Sequence, residues 1–251
     1  MIILYDISCT RHNTAWSPST WKTRYVLNYK GLSYRTEWVE FADIEALSIK
    51  HGFAPSGKRA DGSPRYTLPA IYDESTGAKI ADSSLIADYL EATYLDTPSL
   101  YPHNTRALQA AYEAAVLAHL DAIHQFTAPY LMTKKYFTPK TEEYYRKFRE
   151  PAFGGKRLED LLPFGAERVK QWERLKNDIG KIAAWYDKND RKGSFLLGET
   201  PSWADFVAAS FLVWLRVIWG EESEEWKDLE TWHNGRWKKL FAAVKKYEAM
   251  A

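Results

Sequence analysis

The sequence is poor in cysteine, since Cys9 is the only one among 251 residues. A single thiol excludes an intrachain disulfide and any zinc site built from cysteines, and we expect no metal site. Such a chain suits a reducing compartment, so we expect a cytoplasmic protein. Residues 1–6 carry no basic leader and reach the acidic Asp6 after a short apolar run, so we expect no secretory signal there.

The chain also lacks an excess of charge of either sign. In residues 1–95, 10 Lys and Arg oppose 11 Asp and Glu, and over the whole chain 34 oppose 33. A nucleic-acid-binding face or a polybasic membrane patch would need a basic surplus, so we expect neither partner. The most apolar run, at residues 206–219, is too short to span a bilayer and contains Arg216. We predict a buried helix there.

What the sequence does contain is a strand-and-helix pattern over its first 95 residues. Short runs of β-branched and aromatic residues alternate with turn-forming clusters and with apolar residues at helical spacing. In chain order these signals predict a strand at residues 2–5, a helix that begins at Pro18 and stops at Gly31, a strand at 34–41, a short helix at 43–51, a loop at 54–65, a hairpin with strands at 68–72 and 78–81, and a helix that Asp82 begins. The predicted order is βαβαββα.

The second part of the chain is helical in pattern. Helices are predicted at residues 105–132, 142–149, 164–190, 202–219 and 232–249, with interruptions at Pro139, Gly154, Gly155, Gly193 and Gly198. Ser202 and Asp205 have the spacing of a capping box at the start of the most apolar helix.

Composition changes at residues 93–104, where two prolines interrupt the periodicity, and we place a domain boundary there. The predicted fold class is α+β. A mixed domain covers residues 1–95 and an all-α domain covers residues 104–251.

The most informative stretch is residues 16–22, which joins a hydroxyl, a helix start and two indole rings. Ser17 is a favourable N-cap, and Pro18 suits the first helical position because it has no N–H to leave unpaired. The N–H groups and positive dipole end of that helix favour an anion, such as a thiolate, beside the Ser17 hydroxyl. The alternative is that Ser17 only caps its helix.

A βαβαββα half with a proline before the hairpin, a serine at the first helix start and an all-helical second half resembles the cytosolic glutathione transferases over essentially the whole chain. Residues 16–32 resemble the FuA class of wood-decay fungi and the related bacterial lignin β-etherases. More general marks are Leu68-Pro69, Asp82-Ser83 and the box at residues 202–205. The resemblance implies a thioredoxin-like domain that binds glutathione, a helical domain with a hydrophobic second-substrate pocket, and a homodimer.

The resemblance also implies roles for single residues. Ser17 matches the Ser or Cys at the first helix start that activates the glutathione thiol. Leu68 matches the residue before a cis-proline, Pro69, and its backbone pairs with the cysteinyl part of glutathione. Asp82 and Ser83 match the acidic-Ser pair that holds the γ-glutamyl end. An extended pairing with charged anchors would fix the sulfur at Ser17; alternatively, Asp82 and Ser83 only cap their helix.

Two further features are weighed against simpler explanations. Ser19 or Thr20 could share the sulfur with Ser17, and the sequence does not separate them. Cys9 does not occupy the Ser17 position and is interpreted as an incidental small side chain, so no thiol-transferase chemistry is expected.

Two other groups of residues have equally simple alternatives. A charged loop could clamp the glycyl carboxylate of glutathione, although such loops usually only solvate; its members are Lys58, Arg59 and Arg65. Trp16, His119 and Phe126 are predicted to line the second-substrate pocket, although core or surface positions are the simpler interpretation.

Two functions follow from this resemblance. In the first, the activated thiolate of glutathione attacks a hydrophobic aromatic electrophile, in detoxification of wood-derived phenolics by conjugation, weak peroxide reduction or ether cleavage. In the second, the protein is a ligandin that binds polyphenols with little or no transferase activity. The 11 Trp and 16 Tyr are compatible with an aromatic pocket, but a packed core explains them equally well.

Overall fold

The structure is a computed structural model that describes residues 1–189 and 192–251. The chain packs into two units. The first unit contains Met1–Leu100, Phe137–Tyr145 and Tyr247–Ala251, and the second contains Tyr101–Tyr136 and Arg146–Lys246. The chain therefore returns twice to the first unit after leaving it. The domain boundaries predicted from composition stay a prediction.

The first unit is built on a four-stranded mixed sheet with the order β2-β1-β5-β6, beside a separate pair, β3-β4. The strands are β1 Ile2–Ile7, β2 Tyr34–Val39, β3 Gly57–Lys58, β4 Pro64–Arg65, β5 Ala70–Asp73 and β6 Ala78–Ala81. All six residues of β1 are buried, as a central strand requires. Because β1 is parallel to β2, a crossover must connect them, whereas antiparallel β5 and β6 need only a turn.

The crossover is helix α1, Pro18–Tyr29, which is buried over residues 20–27. It ends in a Schellman motif, in which the amides of Leu32 and Gly31 donate to the carbonyls of Leu27 and Asn28 at 3.0 and 3.1 Å. Gly31 has a φ of +67°, which glycine adopts without the steric cost that a Cβ brings. The stop predicted at Gly31 is confirmed.

A buried ion pair joins α1 to the central strand. The Arg24 Nη2 atom lies 2.8 Å from Asp6 Oδ2, and neither side chain is exposed. The Nη1 atom of Arg24 donates to the hydroxyls of Tyr34 and Thr36, and Asp6 Oδ1 accepts from the amide of Ile7. The charge pair is therefore embedded in hydrogen bonds that tie α1 to β1 and β2.

Helices α2, Ile44–His51, and α3, Ser83–Thr93, complete the predicted βαβαββα order. α3 packs against α1, β5 and β6. The prediction of an unstructured loop at residues 54–65 is wrong, because β3 and β4 form a small antiparallel hairpin there. Its turn contains Asp61-Gly62, and the Asp61 carboxylate accepts from the amide of Ser63 at 2.9 Å, a local bond typical of such turns.

The first unit also contains two later segments. Residues 137–145 include the start of a helix at Pro139–Arg149, labelled α6 below. Residues 247–251 lie along α1, where Asn28 Nδ2 donates to the carbonyls of Tyr247 and Ala249 at 2.7 and 2.9 Å.

The second unit is an assembly of helices around the most apolar one. Its helices are α4 Arg106–His119, α5 Ala128–Thr133, the end of α6, α7 Gly165–Tyr186, α8 Trp203–Trp219 and α9 Glu224–Val244. Helix α8 packs against α4, α5 and α9 and is buried along most of its length, as predicted. Its capping box is confirmed, since Ser202 N–H donates to Asp205 Oδ2 at 3.0 Å. Among the helices described, none is long and apolar enough to cross a membrane.

Two helical predictions around prolines are wrong. The helix predicted at residues 105–132 breaks after His119, and a 3-10 segment at Asp121–Phe126 precedes α5. Pro129 lies in the first turn of α5, because inside a longer helix it would remove a backbone hydrogen bond. Pro139, predicted to interrupt, is instead the first residue of α6, where its missing N–H costs nothing.

Helices α9 and α7 differ from their predicted limits. Helix α9 begins at Glu224, not at residue 232, and the Ser223 hydroxyl caps it by accepting from the amide of Trp226. Residues 232–235 leave helical geometry, so the apolar periodicity restarts after them and misled the prediction. Helix α7 ends at Tyr186 and a 3-10 turn follows, and the end predicted at Asp190 lies outside the described residues.

Candidate active site

The strand order brings three chain segments of the first unit to one edge of the sheet. Tyr5 pairs with Ala70 and Ala70 pairs with Ala81, so the end of β1, the start of β5 and the end of β6 lie side by side. Helix α1 follows the first of these, Leu68 and Pro69 precede the second, and α3 follows the third. The predicted thiol site and the predicted glutathione-binding residues therefore surround one edge.

Ser17 occupies the N-cap of α1, with Pro18 as the first helical residue, as predicted. Its side chain makes no capping hydrogen bond, although the hydroxyl of an N-cap serine usually accepts from the first turn. The carbonyl of Ser17 accepts from the amide of Trp21 and from the hydroxyl of Thr20, both at 3.1 Å. Capping therefore does not account for a serine here.

The neighbouring hydroxyls differ from that of Ser17. Thr20 is fully buried, and its hydroxyl is used inside the helix by the bond to the Ser17 carbonyl. Ser19 is half-buried. The amides of Ser19 and Thr20 lie in the first helical turn, where N–H groups have no partner within the helix and can donate to an anion.

Two indole rings hold the loop that precedes Ser17. The Trp16 indole N–H donates to the Ser8 carbonyl at 3.2 Å, and the Trp21 indole N–H donates to the Ala15 carbonyl at 2.9 Å. Trp16 is only 4% exposed. Its predicted role in a substrate pocket stays a prediction, but within its own unit it is a packed residue next to Ser17.

The loop before β5 and the start of α3 are joined directly. The Leu68–Pro69 peptide bond is cis, as the resemblance implies. The carbonyl of Pro69 accepts from the amide of Asp82 at 3.2 Å. Because the β5 ladder begins at Ala70, the main chain of Leu68 lies outside it and borders the site.

Asp82 caps α3 in an unusual conformation. Its Oδ1 atom accepts from the amides of Ser84 and Leu85 at 2.9 and 3.2 Å, so the capping alternative is realised through one carboxylate oxygen. Its φ of +86° favours glycine, and a residue with a Cβ pays about 1–3 kcal/mol there. Strained residues of this kind cluster at functional sites. Ser83, the first residue of α3, is buried.

The three basic residues of the hairpin formed by β3 and β4 differ in their contacts. Arg59 Nη2 lies 2.6 Å from Glu45 Oε2, and Nη1 donates to the Pro64 carbonyl at 2.7 Å. Lys58 and Arg65 are exposed on β3 and β4. A role for any of the three in holding the glycyl carboxylate stays a prediction.

Cys9 lies in the loop before α1 and is half-buried. Burial raises the pKa of the Cys9 thiol, which donates to the carbonyls of Arg11 and Thr14 at 3.5 and 3.7 Å. A thiol with a raised pKa is a poor nucleophile near neutral pH.

His119 and Phe126, the other predicted pocket residues, lie in the second unit with different partners. His119 contacts Trp185, with ring centroids 6.1 Å apart. Phe126 is fully buried against Trp172 at 4.9 Å, and its carbonyl accepts from the Trp219 indole N–H. An apolar cavity of about 30 Å³ in this unit is lined by neither of them. The structure does not bring them together within this unit.

Sequence reasoning missed one segment of the first unit. Residues 137–145 pack next to the loop that contains Trp16, where Phe137 contacts the Trp16 ring. A local sequence pattern cannot predict a contact between positions so far apart in the chain. Within the described residues, no group of three or more His, Cys, Asp or Glu side chains could hold a metal ion.

Comparison with known families agrees with this geometry. Residues 16–93 match the model of the glutathione S-transferase N-terminal domain, and residues 107–247 match the model of the C-terminal domain. The chain therefore belongs to the glutathione S-transferase family. The predicted fold class, a thioredoxin-like domain followed by an all-helical domain, is confirmed.

Several of the proteins similar to this chain come from fungi. The chain is 41% identical to a glutathione S-transferase of Ceriporiopsis subvermispora, CsGST63524, whose structure contains glutathione, and to GSTFuA3 of Phanerochaete chrysosporium. Each match covers 100% of this chain and 98% of the other, with a TM-score of 0.91. The glutathione S-transferase-like protein ustS of Aspergillus flavus is 31% identical over 95% of this chain and 88% of its own length. The predicted resemblance to the FuA class is confirmed.

Proposed function

We propose that this protein is a serine-type glutathione transferase, in which the Ser17 hydroxyl stabilises the thiolate of bound glutathione. The observation that carries the proposal is the N-cap geometry of Ser17, whose hydroxyl makes no capping bond to its own helix. The hydroxyl and the first-turn amides of α1 supply donors and a positive dipole end to one anion. Each stabilises the thiolate over the thiol, which lowers the thiol pKa.

The remaining site residues supply ways to hold the tripeptide. The main chain of Leu68 lies outside the sheet ladder and would pair with the cysteinyl backbone. The Oδ1 atom of Asp82 is committed to two amides, which leaves Oδ2 and the Ser83 hydroxyl to receive the charged γ-glutamyl end. The two Ceriporiopsis subvermispora relatives whose structures contain glutathione support glutathione as the ligand.

The chemistry then requires no protein nucleophile. The thiolate forms a carbon–sulfur bond at the electrophilic carbon of a hydrophobic aromatic compound as the bond to the leaving group breaks; that group, a phenolate in ether cleavage, departs with the electron pair and is protonated by water. The protein contributes proximity and anion stabilisation. Conjugation, peroxide reduction and ether cleavage all begin from the same thiolate. We propose wood-derived phenolics as substrates, and detoxification as the role, from the FuA resemblance.

Substitution of Ser17 by Ala tests the proposal. We expect the pKa of the bound glutathione thiol to rise by about one unit and turnover at neutral pH to fall on the order of tenfold, as loss of a bond to an ionised group predicts. The matched control is Ser19→Ala on the same helical turn. If Ser19→Ala shows the loss and Ser17→Ala does not, the sulfur is assigned to the wrong hydroxyl.

The ligandin alternative stays a second candidate, supported by the same resemblance. Quenching of tryptophan fluorescence by a flavonoid, without turnover of any phenolic electrophile, would favour it. A homodimer and a cytoplasmic location belong to the proposal as well. Light scattering of the purified chain tests the first, and cell fractionation tests the second.

A further inference from the structure

We propose that Phe137 is a positioning residue for the thiol site: its ring holds Trp16, and Trp16 holds the peptide that presents the Ser17 hydroxyl. The inference rests on the function proposed above. Phe137 is remote from Ser17 in sequence but belongs to the same unit.

The two sides of Ser17 are fixed by different means. On the carboxyl side, the helix fixes it, because the Ser17 carbonyl accepts two bonds from the first turn of α1. On the amino side there is only an irregular loop, whose position depends on the side chains that anchor it. Trp16 is the residue next to Ser17, so the orientation of the Ser17 peptide follows the position of Trp16.

Trp16 is packed into a row of aromatic rings. Its ring meets the ring of Phe137 edge to face, with centroids 5.3 Å apart. Phe137 contacts Tyr145 at 4.8 Å, and Tyr145 contacts Phe41 at 5.6 Å. Trp16, Phe137 and Tyr145 are each less than a tenth exposed. Edge-to-face contacts of buried rings constrain both distance and tilt, which a flexible aliphatic side chain does not.

Hydrogen bonds close this row into a circuit. The Trp16 indole N–H donates to the Ser8 carbonyl, and the Ser8 amide donates to the Val39 carbonyl at 2.8 Å. The next residue, Glu40, accepts through one carboxylate oxygen from the hydroxyls of Thr138 and Thr141, at 2.8 and 3.0 Å.

The circuit therefore runs from the end of β2 through Ser8 and Trp16 to Phe137, and back to Glu40 through Thr138. A displacement of any member is resisted from two directions. Because hydrogen bonds weaken steeply with distance and angle, a small shift of the Ser17 peptide would weaken the bond from its hydroxyl to the thiolate. Removal of the Phe137 ring should therefore raise the pKa of the bound glutathione thiol.

The test is Phe137→Leu, which keeps an apolar side chain but removes the ring. The glutathione thiol pKa is read from the ultraviolet absorbance of the thiolate as pH is varied, and glutathione affinity is read by calorimetry. We expect the thiol pKa to rise by about 0.5–1 unit, a roughly threefold to tenfold loss of ionisation. Affinity should change less than about twofold, because Leu68 and Asp82 are untouched, so kcat should fall with little change in KM.

The matched control is Phe148→Leu near the end of α6, a ring that is 44% exposed. It should leave the thiol pKa unchanged. Phe137→Tyr retains the ring and should restore a pKa close to that of the parent protein. If Phe137→Leu does not fold, Phe137→Met fills a similar volume without a ring and takes its place.

The outcomes separate the two proposals. If Ser17→Ala raises the thiol pKa and Phe137→Leu does not, the positioning role is wrong while the serine-type function stands. If neither substitution moves the thiol pKa, the function itself is wrong. A lower melting temperature for Phe137→Leu with an unchanged thiol pKa identifies Phe137 as a packing residue only.

Discussion

Replacement of Arg24 by Met tests whether the buried ion pair between α1 and β1 stabilises the first unit. The substitution keeps an unbranched side chain of similar length in a position with no exposure. It leaves the Asp6 carboxylate buried, with its Oδ1 still bonded to the Ile7 amide but its Oδ2 without the guanidinium that lies 2.8 Å away. An uncompensated buried charge is the largest penalty that a single substitution can introduce here.

The magnitude follows from the burial of both groups. Breaking a fully buried pair by removal of one partner costs about 3–5 kcal/mol, a large share of the roughly 5–15 kcal/mol that stabilises a native protein. Arg24 also lies against the rings of Trp21, Tyr34 and Trp38, at 5.6–5.8 Å, contacts that Met replaces only in part. For a chain of this size we expect the melting temperature to fall by about 10 °C.

A double-mutant cycle distinguishes the ion pair from simple packing. Asp6→Asn removes the other charge and keeps the oxygen that accepts from the Ile7 amide. We expect Arg24→Met and Asp6→Asn together to cost about 2–3 kcal/mol less than the sum of the single variants, because the double variant buries no lone charge. Thermal unfolding followed by circular dichroism gives each value. Additive costs, or a loss below about 1 kcal/mol for Arg24→Met, would refute the reasoning.

Three further predictions concern the second unit. Burial raises the pKa of Asp205 to about 6, above an unfolded value of about 4, so its protonation stabilises the fold fully below about pH 4 and this contribution is lost as pH rises through 6. In urea unfolding, the stability advantage of the parent protein over Asp205→Asn should be about 2 kcal/mol smaller at pH 7 than at pH 4.5. A difference that stays constant with pH would contradict this. Ala208→Val should fill part of the apolar cavity of about 30 Å³ and raise the free energy of unfolding by about 0.5 kcal/mol. The control Ala209→Val, at an adjacent and fully buried position that does not line the cavity, should lower it. Equal losses for the two variants in urea unfolding would contradict the filling of the cavity. A Cβ at Gly193 would lie 2.1 Å from the Gly198 carbonyl oxygen, whereas a Cβ at Gly155, which also has a positive φ, would meet open space. Gly193→Ala should therefore lower the free energy of unfolding by at least about 2 kcal/mol more than the control Gly155→Ala, as measured by thermal unfolding. Similar losses would show that only the backbone conformation matters.

The parts of the fold that the sequence predicts are those with strong local chemistry. Pro18 and Gly31 bracket α1 because one has no N–H to lose and the other tolerates a positive φ. Ser202 and Asp205 start α8 for a similar reason, since each satisfies a backbone donor of the same helical turn. Such signals depend on neighbours in the chain, so they survive without knowledge of the rest of the molecule.

The predictions that fail involve a choice between competing local signals. The apolar periodicity of residues 105–132 runs through the position of Pro129, and only the structure shows that the helix restarts there. The kink at residues 232–235 shifts the periodicity of α9 in the same way. In the loop at 54–65, Asp61-Gly62 was a turn signal, but strands of two residues are too short to leave an alternating pattern.

The residues of the candidate site likewise fall into those that a local motif predicts and one that no motif predicts. Ser17 and the Leu68-Pro69 and Asp82-Ser83 pairs stand in short motifs, and the strand order then explains why they share one edge of the sheet. Phe137 has no motif, because its proposed role depends on a contact with Trp16, which lies far from it in the chain. Residue pairs of that kind have no signature in a single sequence.

The contacts of residues 247–251 bear on how this protein is made. Asn28 on α1 bonds to main-chain oxygens of that segment, so the helix that carries Ser17 reaches its full set of contacts only after the ribosome has synthesised both units. A nascent chain that has emerged only as far as residue 100 would therefore lack these two contacts of α1. The order of synthesis would thus leave the packing of α1 unfinished until residues 247–251 leave the ribosome.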